Sequence, residues 1–249
     1  MKAAFFVAPK TIEIRDVPMP DINDDEMLVK IEACGVCSSD MSGYLNTGAH
    51  HGPYPRRAGH EPSGTVAAVG SHVKGFKEGD RITGYFADDC YAEYVKCNPT
   101  DKEARGHGSI IEKIPDGIKF EHALGEPLMS LMSIARTATP EFGDYVFQIG
   151  AGFMGLGIVA GVAHPKLREY IVADLDDDRL AMAKKLGATV TLNPSKVDVV
   201  AEVMKLTGGR GVDVGIEVVG ATVETAASLD ALAGAGEVLA SDAVRRLLR

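Results

Sequence analysis

The spacing of hydrophobic and polar positions changes once along this chain, and the change divides it in two. Segments 1–7, 11–16 and 26–33 carry β-branched or alternating apolar residues separated by Pro, Asp and Asn clusters, which predicts strands joined by turns. Segments 65–70 (TVAAVG), 80–85 (DRITGY), 91–96 and 110–114 continue the pattern. Many short strands with frequent turns predict a small barrel or sandwich. Over 121–137 the period lengthens: Leu124, Leu128, Leu131 and Ile134 recur every three to four residues, which predicts a helix. Thr139-Pro140 and Phe142-Gly143-Asp144 then mark a boundary, giving domains 1–139 and 140–249.

Beyond residue 144 the texture alternates. A strand over 145–149 runs into a glycine turn and a small-residue helix closed by His164-Pro165. The strand 170–174 (YIVAD) follows, then Asp176, Asp177 and Asp178, which favour a helix N-terminus, and a helix over 179–186 stopped by Gly187. Strands 189–192, 212–219 and 237–240 alternate with helices 197–206 and 223–232. Such alternation specifies an α/β fold with a parallel, doubly wound sheet and right-handed crossovers.

Composition narrows the partners. Of 249 residues, 45% are hydrophobic and 24% charged, which supports a globular core, while a net charge of -9 argues against nucleic acid or an anionic membrane surface. No run approaches the ~18 apolar residues of a membrane span, and the N-terminus lacks a credible signal peptide. Four cysteines make no disulfide framework, so a cytoplasmic location is expected.

The glycine turn carries the first candidate chemistry. In Gly150-Ala151-Gly152-Phe153-Met154-Gly155, Gly150 permits a tight turn, Gly152 lets a diphosphate approach the backbone, and Gly155 lets helix and strand pack closely. The helix N-terminus offers free N–H groups to phosphates. Asp174 ends the next strand 19 positions after Gly155, where a dinucleotide fold places an acid for the ribose hydroxyls; a helix-capping or solvated acid is the alternative. No Arg or Lys immediately follows Asp174 to receive a 2′-phosphate, which favours NAD over NADP. Phe153, Met154 and Arg179 complete the candidate cofactor-binding set.

Two upstream stretches, Cys34-Gly35-Val36-Cys37-Ser38-Ser39-Asp40 and Gly59-His60-Glu61-Pro62-Ser63-Gly64, gather polar residues that an ordinary core would not. A catalytic zinc needs three N, S or O ligands and one open position. Cys37 and His60 suit it, with Glu61 beside them and Glu126, an acid in an otherwise apolar segment, as a third ligand. The alternatives are a structural buried His60 and a Glu126 that caps a helix or forms a salt bridge. Cys34 and Cys37 also form CxxC, which reads as a redox pair or half a zinc ribbon, but Cys90 and Cys97 lie six residues apart and fit neither; Cys34 reads most simply as a small buried hydrophobe. His50, His51, His72 and His107 read as loop or surface residues.

With GVCSSD at 35–40, GHEPSG at 59–64, AEYV at 92–95, GEPL at 125–128, GAGFMG at 150–155 and ADLDDDRLAMAKKLGA at 173–188, the chain resembles the zinc-dependent medium-chain dehydrogenase/reductase family, in its alcohol, sorbitol and threonine dehydrogenase-like branch. The resemblance implies an N-terminal GroES-like β-barrel carrying one catalytic zinc ion, a Rossmann domain binding NAD, and an active site in the cleft between them. It implies that Cys37 and His60 bind zinc, that Glu61 ligates transiently or tunes the metal, that Glu126 is the acidic third ligand or holds water, and that Ser39 passes the substrate proton outward. The implied reaction is hydride transfer between NAD and a secondary alcohol or polyol and its ketone. Against the family pattern, the four-cysteine lobe that binds a structural zinc is missing, and the chain stops after the fifth Rossmann strand with a basic helical tail at 241–249. The expected strand that pairs subunits in many relatives is therefore absent, so a homo-oligomer is an open expectation. A catalytically impaired NAD- and zinc-binding remnant is the alternative reading, and a zinc-free quinone reductase is disfavoured by Cys37, His60 and Glu61.

Overall fold

The computed structural model describes residues 1–47, 53–101, 109–217 and the backbone of 233–239. The helix expected over 223–232, the tail 241–249, and His50, His51 and His107 lie outside the described residues. The chain divides into two compact units, Met1–Leu128 and Met129–Arg249.

In the first unit, β1 (Lys2–Ala8) and β2 (Thr11–Asp16) form an antiparallel pair. Strands β3 (Met27–Gly35), β4 (Glu61–Val69), β5 (Arg81–Tyr85), β6 (Tyr94–Cys97) and β7 (Ile110–Lys113) form an antiparallel sheet in the order β6-β3-β4-β5-β7. Met27, Val29, Val66, Ile82 and Val95 meet in its core, joined by Cys90 and Cys97. This is the strand-rich unit that the resemblance to a GroES-like barrel implies. Strand β4 begins at Glu61, four residues earlier than the TVAAVG pattern predicts, because 61–64 pairs with the end of β3: Gly35 stands opposite Glu61 and Cys34 opposite Pro62. A short helix, α1 (Ser38–Leu45), follows β3. Its weak apolar periodicity left no helical signal in the sequence.

The helix expected over 121–137 is divided. A 3₁₀ turn, Phe120–His122, precedes α2 (Gly125–Ala138), whose Pro127 lies in the first turn where a missing N–H costs nothing.

In the second unit, β8 (Tyr145–Ile149), β9 (Glu169–Ala173), β10 (Val190–Leu192), β11 (Val212–Glu217) and β12 (Ala233–Leu239) form a parallel sheet in the order β10-β9-β8-β11-β12. Helices α3 (Phe153–Val162), α4 (Asp177–Leu186) and α5 (Val199–Leu206) connect them. Ile158, Val159, Leu180 and Ala183 cover one face of the sheet with Val146 and Val172, and Val203 covers the other with Phe147 and Ile171. Strands buried on both faces read as continuous apolar runs, which is why 145–149 and 170–173 were legible. The order reverses between β8 and β11, the switch point at whose carboxyl end such sheets bind ligands.

One polar residue interrupts the core. Gln148, fully buried in β8, accepts from the Tyr170 hydroxyl at 2.7 Å and donates to the carbonyls of Gly150 and Gly155 at 2.8 and 3.0 Å. The glycine turn is thus braced from beneath. Tyr170→Phe removes only the hydroxyl and leaves the Gln148 oxygen without that donor. It is expected to cost about 1–3 kcal/mol, measured as a lowered urea midpoint for the 129–249 transition.

Candidate active site

The β3–β4 ladder builds the donor cluster. Because Gly35 pairs with Glu61, the residues just past the end of β3 and just before β4 are forced together across 23 positions of sequence, Cys37 to His60. The Cys37 thiol, a His60 ring nitrogen and a Glu61 carboxylate oxygen lie within 4.8 Å of one another. A side chain on Gly35 would overlap this carboxylate: an added Cβ would lie 2.0 Å from Glu61 Oε2. Close approach, not backbone strain, is therefore what a side chain at Gly35 would disturb: it would push the Glu61 carboxylate aside.

Asp40 holds the cluster from behind, a role the sequence reading did not assign although the residue closes the GVCSSD motif. It occupies the first turn of α1 and is buried. Its Oδ2 accepts from the Cys37 N–H at 3.1 Å and from the Tyr91 hydroxyl at 2.8 Å. Oδ1 accepts from the Gly59 N–H at 3.4 Å and faces His60 Nδ1 at 3.6 Å. Burial raises the Asp40 pKa, but the His60 contact and the hydrogen bonds from Tyr91 and the Cys37 N–H outweigh it and hold the carboxyl below its usual range. The same contact to Asp40, against the opposing effect of burial and with help from Cys37, raises His60 to about 9. With Nδ1 turned to Asp40, Nε2 is the nitrogen left for a metal, the carboxylate–histidine arrangement common behind metal ligands.

A cavity of about 370 Å³ opens at His60, lined also by Ser39, Arg57, Tyr85, Asp88 and Glu126 among others. Ser39 and Glu126 thus share a wall with His60, while Glu126 is not one of the three donors that converge. The start of α2 carries Glu126 there: the Gly125 N–H donates to Thr83 Oγ1 at 2.7 Å, and that hydroxyl donates to the Pro62 carbonyl at 3.0 Å, next to Glu61. Cys34 is packed against the apolar core and burial pushes its thiol up to about 12, so it is a small core residue in the protonated form. All four cysteines are free.

In the second unit the three glycines of the turn have separate causes. Gly150 adopts φ +96°, open to glycine, and a Cβ on Gly155 would lie 2.1 Å from the Gly150 carbonyl oxygen. A Cβ on Gly152 would meet nothing, so the space above the N-terminus of α3 is open, and no side chain caps that helix end. Phe153 is exposed there and Met154 packs against the core. Asp174 accepts from the Ala151 N–H at 2.7 Å and the Asp176 N–H at 2.9 Å, which ties it to the turn and leaves lone pairs on both oxygens. Asp176 takes the capping role, accepting from the Asp178 and Arg179 N–H groups. Arg179 is exposed and faces Asp176 at 3.6 Å. Two neighbours escaped the sequence reading: exposed Leu175, and Glu217 at the carboxyl end of β11, buried and without a hydrogen-bond partner among the described residues.

An N, S and O donor cluster in a GroES-like unit, with a braced glycine turn at the switch point of a Rossmann sheet, defines a dehydrogenase. The chain matches the family model of the alcohol dehydrogenase GroES-like domain over residues 23–121 and that of the zinc-binding dehydrogenase over 154–241. It is 34% identical to a sorbitol dehydrogenase of Bacillus subtilis over 242 residues, covering 88% of this chain and 69% of that protein. Among solved structures, 2R,3R-butanediol dehydrogenase of Bacillus subtilis superposes with a TM-score of 0.79 at 27% identity, over 96% of this chain and 76% of the other. A zinc-binding dehydrogenase of Sinorhizobium meliloti bound to NADP gives 0.80 at 27%, over 96% and 75%. The chain belongs to the zinc-dependent medium-chain dehydrogenase family and is an oxidoreductase of that class. Among the described residues no helix is long and apolar enough to cross a membrane.

Gly35→Ala tests the donor geometry. The backbone of β3 accepts alanine, but the new methyl displaces the Glu61 carboxylate, and zinc affinity measured by chelator competition is expected to fall about tenfold. An unchanged affinity would remove Glu61 from the donor set.

Proposed function

We propose that the chain is a zinc- and NAD-dependent dehydrogenase acting on a secondary alcohol or polyol carbon. The observation that carries this reading is the convergence of Cys37, His60 and Glu61 within 4.8 Å beside a cavity that His60 lines. Three donors of S, N and O type leave one tetrahedral position for a ligand, which fits a catalytic zinc and not a closed structural one. When bound, zinc polarises a substrate oxygen and NAD accepts the hydride.

The chain's own residues supply the rest. Cys37, His60 and Glu61 hold the ion, and Asp40 keeps His60 in the tautomer that frees Nε2. Glu126 lies on the cavity wall, where its carboxylate serves as an exchanging ligand or holds a water. Ser39, on the same wall, takes the hydroxyl proton of the substrate and passes it outward. Gly150, Gly152 and Gly155 leave room for a diphosphate over the N-terminus of α3, where free N–H groups favour the anion. Asp174 accepts the ribose hydroxyls with its remaining lone pairs, and a carboxylate there repels a 2′-phosphate, so NAD is the cofactor. Phe153, Met154 and Arg179 border this site.

Two measurements test the reading. Cys37→Ser is expected to lose stoichiometric zinc and at least about 100-fold of alcohol-dependent NADH formation over a panel of polyols and secondary alcohols. Unchanged zinc and rate would refute the metal assignment, and zinc and NAD binding in the unsubstituted chain without turnover of any alcohol would refute the catalytic one. Asp174→Asn, which keeps one accepting oxygen for the turn, is expected to raise the NADH dissociation constant about tenfold, some 1.4 kcal/mol, without raising that for NADPH. Equal losses for both cofactors would contradict the ribose role.

A further inference from the structure

Tyr91 lies in none of the functional sets above, yet its side chain touches the backs of both arms of the donor cluster. Its backbone pairs with the stretch just before His60: the Tyr91 N–H donates to the Ala58 carbonyl at 3.0 Å, and the Cys90 N–H to the Gly59 carbonyl at 2.9 Å. Its ring lies against Gly59, where an added Cβ would come within 2.7 Å of the ring. The hydroxyl then offers its single proton between two acceptors, chiefly Asp40 Oδ2 at 2.8 Å and more weakly the Gly35 carbonyl at 3.1 Å. Asp40 is the carboxylate behind His60 and the Cys37 N–H, and Gly35 is the residue over which the Glu61 carboxylate packs. One phenol therefore links the supports of all three donors.

We propose that Tyr91 is a positioning residue for the metal site, its hydroxyl fixing the Asp40 carboxylate and the Gly35 strand end so that Cys37, His60 and Glu61 converge without rearrangement. An aspartate has a free terminal rotation; on the Oδ1 side it is held only by the long Gly59 N–H contact at 3.4 Å, so the shorter hydrogen bonds at Oδ2 do most to keep Oδ1 turned to His60. Of the two donors at Oδ2, the Cys37 N–H belongs to the same helical turn and moves with Asp40, whereas Tyr91 comes from a separate segment 51 residues away. Among the described residues, Tyr91 is thus the Oδ2 partner that references Asp40 to the strand bearing Gly35. A phenylalanine would fill the same space against Gly59 and supply none of this.

The inference rests on the zinc reading above, and the experiment separates the two. Tyr91→Phe retains the ring and removes the hydroxyl. Zinc dissociation constants of the full chain and the variant are measured by competition with a chromophoric chelator, and the visible absorption of the cobalt(II)-substituted proteins is compared. The expected result is a 10- to 100-fold weaker zinc affinity, about the loss seen when outer partners of metal ligands are removed, together with an altered cobalt band reporting a changed ligand geometry. A variant with unchanged affinity and an identical cobalt spectrum, whatever its thermal stability, overturns the positioning role while leaving the zinc site standing. A full chain that takes up no stoichiometric zinc or cobalt overturns the zinc reading and the inference together.

Discussion

The donor cluster depends on one pairing in a β-ladder. Gly35 and Glu61 stand opposite each other, and the absence of a side chain at Gly35 is what lets the Glu61 carboxylate lie across the strand end. A one-residue slip would turn Glu61 to the other face of the sheet and carry Cys37 away from His60. Asp40 then converts proximity into orientation, because a single buried carboxylate takes contacts from the Cys37 backbone, His60, Gly59 and Tyr91. Removing a buried charge from water is costly unless such partners are present. Here the partners are the cluster itself.

The dinucleotide unit solves a similar problem by similar means. Its glycine turn brings the Gly150 and Gly155 carbonyls together over the core, and Gln148 donates to both from the core side. Tyr170 satisfies the remaining oxygen of that amide, so a polar pair sits inside an otherwise apolar sheet without an unpaired group. Asp174 closes the turn from the outer side through the Ala151 N–H. In each unit a buried polar network fixes a loop that must face a ligand with bare backbone or a bare donor atom.

The sequence carried the fold well because both sheets announce themselves by period: alternation in the first unit, buried apolar runs with intervening helices in the second. What it could not carry lay in residues whose partners are distant. Helix α1 has too little apolar periodicity to register, and Glu61–Gly64 reads as a polar motif when it is in fact the start of β4. Asp40 was legible only as the last letter of GVCSSD, and Tyr91 stands just ahead of AEYV with no mark of its own, since the hydrogen bond between them spans 51 residues. Gln148 carries no signal in the apolar run 145–149, and only its three-dimensional neighbours explain it. Glu126 shows the converse. Its isolation among apolar residues marked it as functional, and it lies on the cavity wall with His60, but the three donors that converge are Cys37, His60 and Glu61.

The central claim is that one thiolate, one imidazole and carboxylate oxygen hold a zinc ion. X-ray absorption at the zinc K-edge of the metal-loaded chain counts sulfur ligands directly. The account predicts a single sulfur scatterer at about 2.3 Å, from Cys37, with the remaining shell of nitrogen and oxygen near 2.0–2.2 Å. Two sulfur scatterers, which would bring Cys34 into the shell, or none at all, would contradict it.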